Sequence, residues 1–314
     1  MIYLKYMIVM VVFYAGAGVA ISSEQSTYYK GPVIDAHLHA YSQGNPILGA
    51  THADPSTGRV FVGAKDEREL KEETFKRLKK YNIVKAMMST NEQWKVDNPK
   101  LFIHGYGGSY TVEEMREKHK LGLLEVIGEM APNYHGLMPN DDQILPYFDL
   151  AEELDVPIAF HMYPGGPQGG AYSMFPKTRA SHVKPLALEE ILLKRPTMRI
   201  YIMHGGWPYL EDIKALMYAH PQVYVDIGVL SFTLPRSEVH NFLKSLVVAG
   251  FGKRIMFGSD QMVWPEIIDM AIEDVQTASF LSPEQKADIF YFNAARFFRL
   301  GEAEIARHHA VVNN

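Results

Sequence analysis

Hydrophobic positions along this chain fall into short, evenly spaced blocks. Apolar or β-rich runs occur at residues 33–38, 83–88, 101–106, 124–130, 157–162, 198–203, 222–227 and 254–257. Most are apolar on both faces, the pattern of parallel strands covered on each side. Between them, apolar residues recur at helical spacing and predict helices over 67–81, 112–122, 142–154, 185–194, 208–220, 235–248 and 265–278. A proline opens each of the last four, at the first turn, where its missing N–H costs little. Only the link between the second and third strands, 89–100, shows no clear helix.

Eight strands with intervening helices is the count for a (β/α)8 TIM barrel, here spanning residues 32–300. An open, doubly wound α/β sheet is the alternative. It calls for a glycine-rich phosphate turn after its first strand, and Ala40-Tyr41-Ser42-Gln43-Gly44 is not one. Two connections are oversized, 40–66 after the first strand and 163–184 after the fifth. In a barrel both belong to the catalytic mouth, where long loops shape or cover a pocket.

The N-terminal segment has a different texture. Lys5 is the only side-chain charge before Glu24, and residues 7–20 are an unbroken run of apolar and small residues ending Ala15-Gly16-Ala17-Gly18-Val19-Ala20. That pattern predicts a secretory signal peptide over residues 1–22. Left uncleaved, the uncharged stretch 6–23 would act as an anchor, and a mis-assigned start codon would remove it altogether. Cleavage predicts a protein exported to the periplasm or secreted, with 30 basic against 36 acidic residues and no stable membrane insertion. At the other end, residues 301–314 read as a polar tail with His308-His309 exposed to solvent.

Composition narrows the function classes. Hydrophobic residues at 47% and charged residues at 21% describe an ordinary globule, excluding a disordered chain or a multi-span membrane protein. The net charge is −5, and no segment concentrates basic residues enough to follow a phosphate backbone. The expected partner is therefore a small-molecule substrate and not nucleic acid; assembly as a homo-oligomer is compatible with the sequence. There is no cysteine, so disulfides, thiolate nucleophiles and Cys-held metals are excluded. Any metal must sit on His, Asp, Glu or backbone oxygen.

Candidate ligands stand at strand ends. Alternation puts Asp35, His37 and His39 on one face of the first strand. A single H-x-H is weak evidence, since with 13 His in 314 residues about half of one arises by chance. Its position strengthens it. His161 ends the fifth strand, His204 the sixth, and Asp260 follows the eighth, the face where a barrel builds its active site. Nitrogen and carboxylate donors together suit a divalent transition metal such as zinc, as one or two ions. Asp35 shares the ligand face, either to orient an imidazole of the first strand or to pair with a neighbouring strand. His104, His135, Tyr134, Tyr163, Trp207, Arg179 and Arg236 are candidates to line the pocket. Met87-Met88 and Tyr147-Phe148 read as core.

The order of these motifs resembles the amidohydrolase superfamily. The flanking text is similar to its amidohydrolase-related (type 2) branch: Ile34-Asp35-Ala36-His37-Leu38-His39, then His204-Gly205-Gly206, then Gly258-Ser259-Asp260, with Asn293-Ala294-Ala295-Arg296-Phe297-Phe298 similar to the terminal helix. The resemblance implies a metal-dependent barrel acting on an amide, ester or lactone, or in one subgroup removing CO2 without oxidation. It implies that His37, His39 and His161 are metal ligands, and that Asp260 is both a ligand and the proton-transfer group. By the same resemblance His204 is a second-metal ligand or a substrate-facing catalytic group, and Glu129, ending the fourth strand, is a carboxylate bridging two ions. Gln261-Met262-Val263-Trp264-Pro265 departs from the pattern by delaying a proline that many relatives place almost at once after the aspartate.

Three functions follow as expectations. The first is a metal-dependent hydrolase in which Asp260 takes a proton from the attacking water and returns it to the leaving group. The second is a mononuclear decarboxylase of an unsaturated or aromatic carboxylic acid held by an arginine such as Arg179. The third, an exported binding protein without turnover, is favoured by nothing in the sequence.

Overall fold

The computed structural model describes residues 28–54, 57–165 and 170–310; the expected signal peptide, 1–22, lies outside the described residues. Eight parallel strands follow one another around a single sheet: β1 (Val33–Ala40), β2 (Ile83–Thr90), β3 (Phe102–Tyr106), β4 (Val126–Met130), β5 (Ile158–His161), β6 (Ile200–Met203), β7 (Val223–Asp226) and β8 (Ile255–Met256). Backbone bonds across the seam draw the sheet round. The Ala36 N–H donates to the Phe257 carbonyl and the Asp260 N–H to the His37 carbonyl, each at 2.8 Å. The architecture is the (β/α)8 barrel that the alternating blocks predict.

The outer ring comprises α1 (Glu67–Lys80), α2 (Gln93–Asp97), α3 (Val112–Lys120), α4 (Leu145–Glu153), α5 (Glu189–Lys194), α6 (Leu210–Ala219), α7 (Arg236–Leu246) and α8 (Ile267–Thr277). Local chemistry starts them. The Asp66 side chain accepts from the Glu69 N–H at 2.8 Å, and Arg77, Lys79 and Lys80 fill the last turn of α1, opposing the helix dipole at both ends. Thr111 and Glu114 form a reciprocal capping box on α3. The link expected to lack a helix holds α2, whose five residues are too few to show a period. It is fixed by Trp94, which is fully buried against Phe75 and Phe102.

Both long connections fold over the mouth. Residues 40–66 carry an antiparallel hairpin, Thr51–Ala53 with Val60–Val62, whose Phe61 is buried with Phe232 and Ile267. The second connection contains the helical turn Gly170–Met174 and a 3-10 turn, Ala180–Val183.

The barrel interior is filled by Ile34, Met87, Ile103, Val126, Tyr201 and Met256 among others, continuous with Tyr291, Ala294 and Phe297 below. The terminal helix Asn293–Phe297 is pinned by the buried Asn293, whose amide donates to the carbonyls of Gly252 and Ile255 at 2.8 and 2.7 Å. Residues 302–310, read from sequence as tail, form a helix, Glu302–Ala310. Glu304 pairs with Lys85 at 2.7 Å. His308 bonds the Tyr291 hydroxyl at 2.9 Å and His309 stacks on Phe292. These two histidines are half-buried, not solvent-exposed, because the helix docks on the lower end of the barrel. Among the described residues, no helix is long and apolar enough to cross a membrane.

Candidate metal centre

All six ligands expected from the sequence converge. His39 Nε2 lies 3.0 Å from Asp260 Oδ1 and His37 Nε2 lies 3.5 Å from the same oxygen. Glu129 reaches both halves of the cluster. Its Oε2 is 3.6 Å from His37 Nε2 and 3.4 Å from His39 Nε2, while its Oε1 is 2.5 Å from His161 Nδ1 and 3.4 Å from His204 Nε2.

Irregular backbone aims these groups. The register of β1 against β2 shifts between Asp35 and Leu38, and that of β4 against β5 shifts between Ile127 and Met130. Each bulge sits at a candidate ligand, where a bulge re-aims a side chain. Thr90, His204, Val229, Asp260 and Met262 have positive φ, a conformation costly outside glycine. Gly228 and Gly258 leave room for the first imidazole: a Cβ on either would stand 2.9 Å from a His37 atom.

The outer nitrogen of each imidazole is tied to the protein. His37 Nδ1 faces Asp226 Oδ2 at 3.2 Å, and His39 Nδ1 faces the Ser89 hydroxyl at 2.9 Å. His161 Nε2 donates to the Tyr163 carbonyl at 3.0 Å, and His204 Nδ1 to the Gly228 carbonyl at 3.2 Å. A proton on the outer nitrogen leaves the inner one with a free lone pair, the tautomer that a metal ligand requires. His37 Nε2 and Asp260 Oδ1 are buried without a hydrogen-bond partner, and one donor atom from each of His37, His39 and Asp260 falls within 4.8 Å of the others. These orphaned donors fit a divalent cation.

Charges in the cluster act both ways: burial lowers the His37 imidazole, but Asp260, Asp226 and Glu129 overcome it and hold it well above its ordinary value. Burial pushes the Glu129 carboxyl up, but the imidazoles of His161, His204 and His37 that face it hold it well below the usual range. Burial likewise opposes ionisation of Asp260, and His37, His39 and His204 overcome it. Burial and the neighbouring His204 keep His161 below its ordinary value, against Glu129 and Asp260, which raise it.

Other expectations divide. Asp35 does not orient a ring. Its carboxylate accepts from the backbone N–H groups of His37 and Ser259 and from the Ser259 hydroxyl, and burial pushes it up to about 7. The ring-orienting carboxylate is Asp226, which also accepts from the N–H groups of His204 and Gly228 at 3.1 and 2.8 Å. Its signal was present, an aspartate ending the seventh strand at the level of the other ligands. Gln261 clamps His39 by two bonds, accepting from its N–H and donating to its carbonyl. His104 is buried beneath the mouth, its imidazole held at about 4 by burial, while His135, Tyr134 and Tyr163 line cavities. Trp207 donates to Glu238 at 3.1 Å. Arg179 donates to the carbonyls of Pro176 and Thr178, and Arg236 pairs with Asp274 at 2.6 Å. Neither arginine is among the described residues that line the two cavities at the centre.

Two cavities meet at the centre and share His39, Glu129, Tyr134 and Phe175. One, of about 510 Å3, runs past Ser89, Thr90, Ser109 and Gln143. The other, of about 430 Å3, is walled by Ile47, Met174, Val229, Phe232, Met262 and Trp264 and also reaches His161, His204 and Asp260.

A barrel carrying such a donor set at its mouth defines a metal-centre enzyme class. The family model described as Amidohydrolase matches residues 34–300, and the chain belongs to the amidohydrolase family. Protein fluG of Emericella nidulans is 21% identical over 133 residues, 38% of this chain but only 15% of that protein. Among solved structures, a probable 2-pyrone-4,6-dicarboxylic acid hydrolase from Acinetobacter baumannii, with citric acid bound, has a TM-score of 0.59 at 15% identity, over 85% of this chain and 99% of that one. A dihydroxybenzoic acid decarboxylase from Polaromonas sp. JS666, with bound manganese and the inhibitor 2-nitroresorcinol, has a TM-score of 0.60 at 17% identity, over 87% and 98%. Both share the fold.

Proposed function

We propose that this protein is a metal-dependent hydrolase that uses an activated water on an amide, ester or lactone of a small molecule. The observation that carries this reading is the position of Glu129, one oxygen toward His37 and His39 and the other toward His161 and His204. That is the arrangement of a carboxylate shared by two cation positions. His37, His39 and Asp260 would hold one divalent ion and His161 and His204 a second, with zinc suited to the N/O donor set. Such ions lower the pKa of water toward neutrality and polarise a carbonyl. Asp260, held ionised by its histidines, accepts the proton of the attacking water and passes it to the leaving oxygen or nitrogen. Asp226 keeps His37 in the ligand tautomer, and Gly228 does the same for His204.

Decarboxylation of an aromatic acid on a single ion is the alternative chemistry, and manganese in a decarboxylase of the same fold keeps that ion in view. The binding of Arg179 and Arg236 elsewhere leaves the acid without the arginine that reading called for. Metal content per chain, measured in protein purified without chelator and in Glu129→Ala, tests the proposal. Two equivalents falling to one support the shared carboxylate, one equivalent in both favours the decarboxylase, and none sinks both. Export through residues 1–22 belongs to the same proposal, and the mature N-terminus of protein from the native host tests it.

A further inference from the structure

The hairpin that folds over the mouth has two faces. Thr51, Ala53, Val60 and Val62 are exposed on the outer one. His52 and Phe61 stand opposite each other in the hairpin register, and paired residues point to the same side of a sheet. Both side chains therefore lie on the inner face. Phe61 is fully buried there in a cluster with Phe232 and Ile267. His52 sets its ring edge-on to Phe232, with centroids 5.2 Å apart, and lies 5.4 Å from the ring of Trp264. It is only partly buried, and it lines the apolar cavity.

One nitrogen of this ring is fixed by the backbone. Nε2 of His52 lies 2.6 Å from the Phe232 carbonyl, and a carbonyl only accepts, so Nε2 carries the proton. In the neutral ring this leaves Nδ1 as an acceptor and nothing else. Among the described residues Nδ1 has no hydrogen-bond partner. Neighbouring donors are engaged elsewhere. The Tyr41 hydroxyl points to Met262 Sδ at 3.5 Å, that of Tyr163 to Thr233 Oγ1 at 2.9 Å, and that of Thr233 to the Val229 carbonyl at 2.8 Å. The Trp264 indole N–H is turned to the Ala50 carbonyl at 2.8 Å. A lone acceptor in an apolar wall selects by what it lacks. A ligand group that brings an O–H or N–H satisfies it, and one of equal shape without a donor leaves it unpaired.

We infer that His52 is a specificity-determining residue: the substrate places in the cavity of Phe232 and Trp264 an aromatic group that carries an O–H or N–H, and this group donates to His52 Nδ1. The inference names a part of the substrate that the bond class leaves open, and it rests on the hydrolase reading for the reacting bond at the metal centre. The hairpin is then more than a cover. Its inner face supplies a recognition group, while Phe61 beside it anchors the strand pair.

The test titrates zinc-loaded full-length protein at pH 8, by calorimetry, with hydroxamic acids, which chelate a divalent ion. Acetohydroxamic acid reports on the centre alone. Its 4-hydroxyphenyl and phenyl relatives, with one, two or three methylenes between ring and hydroxamate, report on the cavity. At the length that fits, we expect the phenol to bind at least ~10-fold more tightly than its phenyl partner, the scale of one buried acceptor satisfied or left unpaired. His52→Gln retains an amide N–H for the Phe232 carbonyl and removes the acceptor at Nδ1. In that variant the advantage of the phenol should shrink to under ~2-fold, while acetohydroxamic acid binds as it does to wild type. The methyl esters of the same aryl acids and the acetates of the matching aryl alcohols are assayed in parallel for turnover. Phenol and phenyl members that bind alike at every length, or a phenol advantage that persists in His52→Gln, overturn the assignment of His52 and leave the hydrolase to the ester assay. A phenol advantage that His52→Gln removes, without turnover of any ester, overturns the hydrolase and leaves His52 as the recognition group. Failure of acetohydroxamic acid to bind overturns the metal centre and the inference with it.

Discussion

The two ends of this barrel are built from the same eight strands by opposite rules. At the lower end, side chains of the strands meet Tyr291, Ala294 and Phe297 in an apolar plug; Asn293 is paired with two carbonyls and Lys85 with Glu304, while His309 Nε2 is left without a partner. At the mouth, four imidazoles and two carboxylates crowd together, two of their ligand atoms have no partner, and five non-glycine residues have positive φ. The lower end lowers the free energy of the fold. The mouth spends part of that stability to hold charges ready for a ligand, a common trade in active sites.

The sharpest way to break this comparison is at Asp260. Asp260→Asn keeps the shape but removes an anionic ligand and the proton acceptor, so kcat should fall on the order of 10^3-fold. Bound metal, measured in the same samples, should fall with it. If both persist, the mouth is not organised around Asp260.

The converse change lies in the plug. Phe297 is buried, with its ring 5.3 Å from that of Tyr201 and 5.0 Å from that of Tyr224. Phe297→Ala should cost about 3 kcal/mol in denaturant unfolding through lost burial and the cavity left behind, while kcat of the folded fraction stays within about twofold. A large loss of kcat would mean that the two ends are coupled.

Asp226 tests the boundary between the two regimes, being a fully buried scaffold residue in contact with a ligand. Asp226→Asn should weaken metal affinity about 10- to 100-fold, as loss of a ligand's hydrogen-bond partner does. Chelator competition reads this directly. An unchanged affinity would show that the Gly228 and Gly258 packing alone fixes the His37 ring.

How much of this could be read from the sequence follows from the same division. The barrel was legible because strands buried on both faces and helices buried on one leave periods of their own. His37, His39, His161, His204 and Asp260 were legible because they end strands. Asp226 ends a strand too, but a lone aspartate has no motif, and its partners are a ring 189 residues away and backbone N–H groups. Asp35 shared a face with His37 by simple alternation, and a bulge broke that alternation. The helix Glu302–Ala310 was read as tail because Ile305 is its only large apolar side chain; ion-pair and ring contacts dock it. The engagement of Arg179 and Arg236 depended on partners no spacing reveals.

Charge also appears on the outer wall, and there the smallest effect is expected. Asp269 of α8 accepts from Arg77 and Lys80 of α1 at 2.7 and 2.6 Å and from the Tyr81 hydroxyl. Burial alone would raise its carboxyl, but Lys80, Tyr81 and Arg77 hold it below the usual value. A carboxylate depressed in the folded state contributes stability that is present above its unfolded pKa of about 4. That contribution is lost as pH falls through the folded value. Because the knot is partly solvated, Asp269→Asn should cost only about 0.5–1 kcal/mol at pH 7. The difference from wild type should shrink steadily below pH 4, and added salt at pH 7 should reduce it as well. Urea melts of both proteins at pH 7 and pH 3 measure this. A penalty that stays constant with pH would assign the role of Asp269 to packing, and charge on the wall would then differ from charge at the mouth in kind as well as in size.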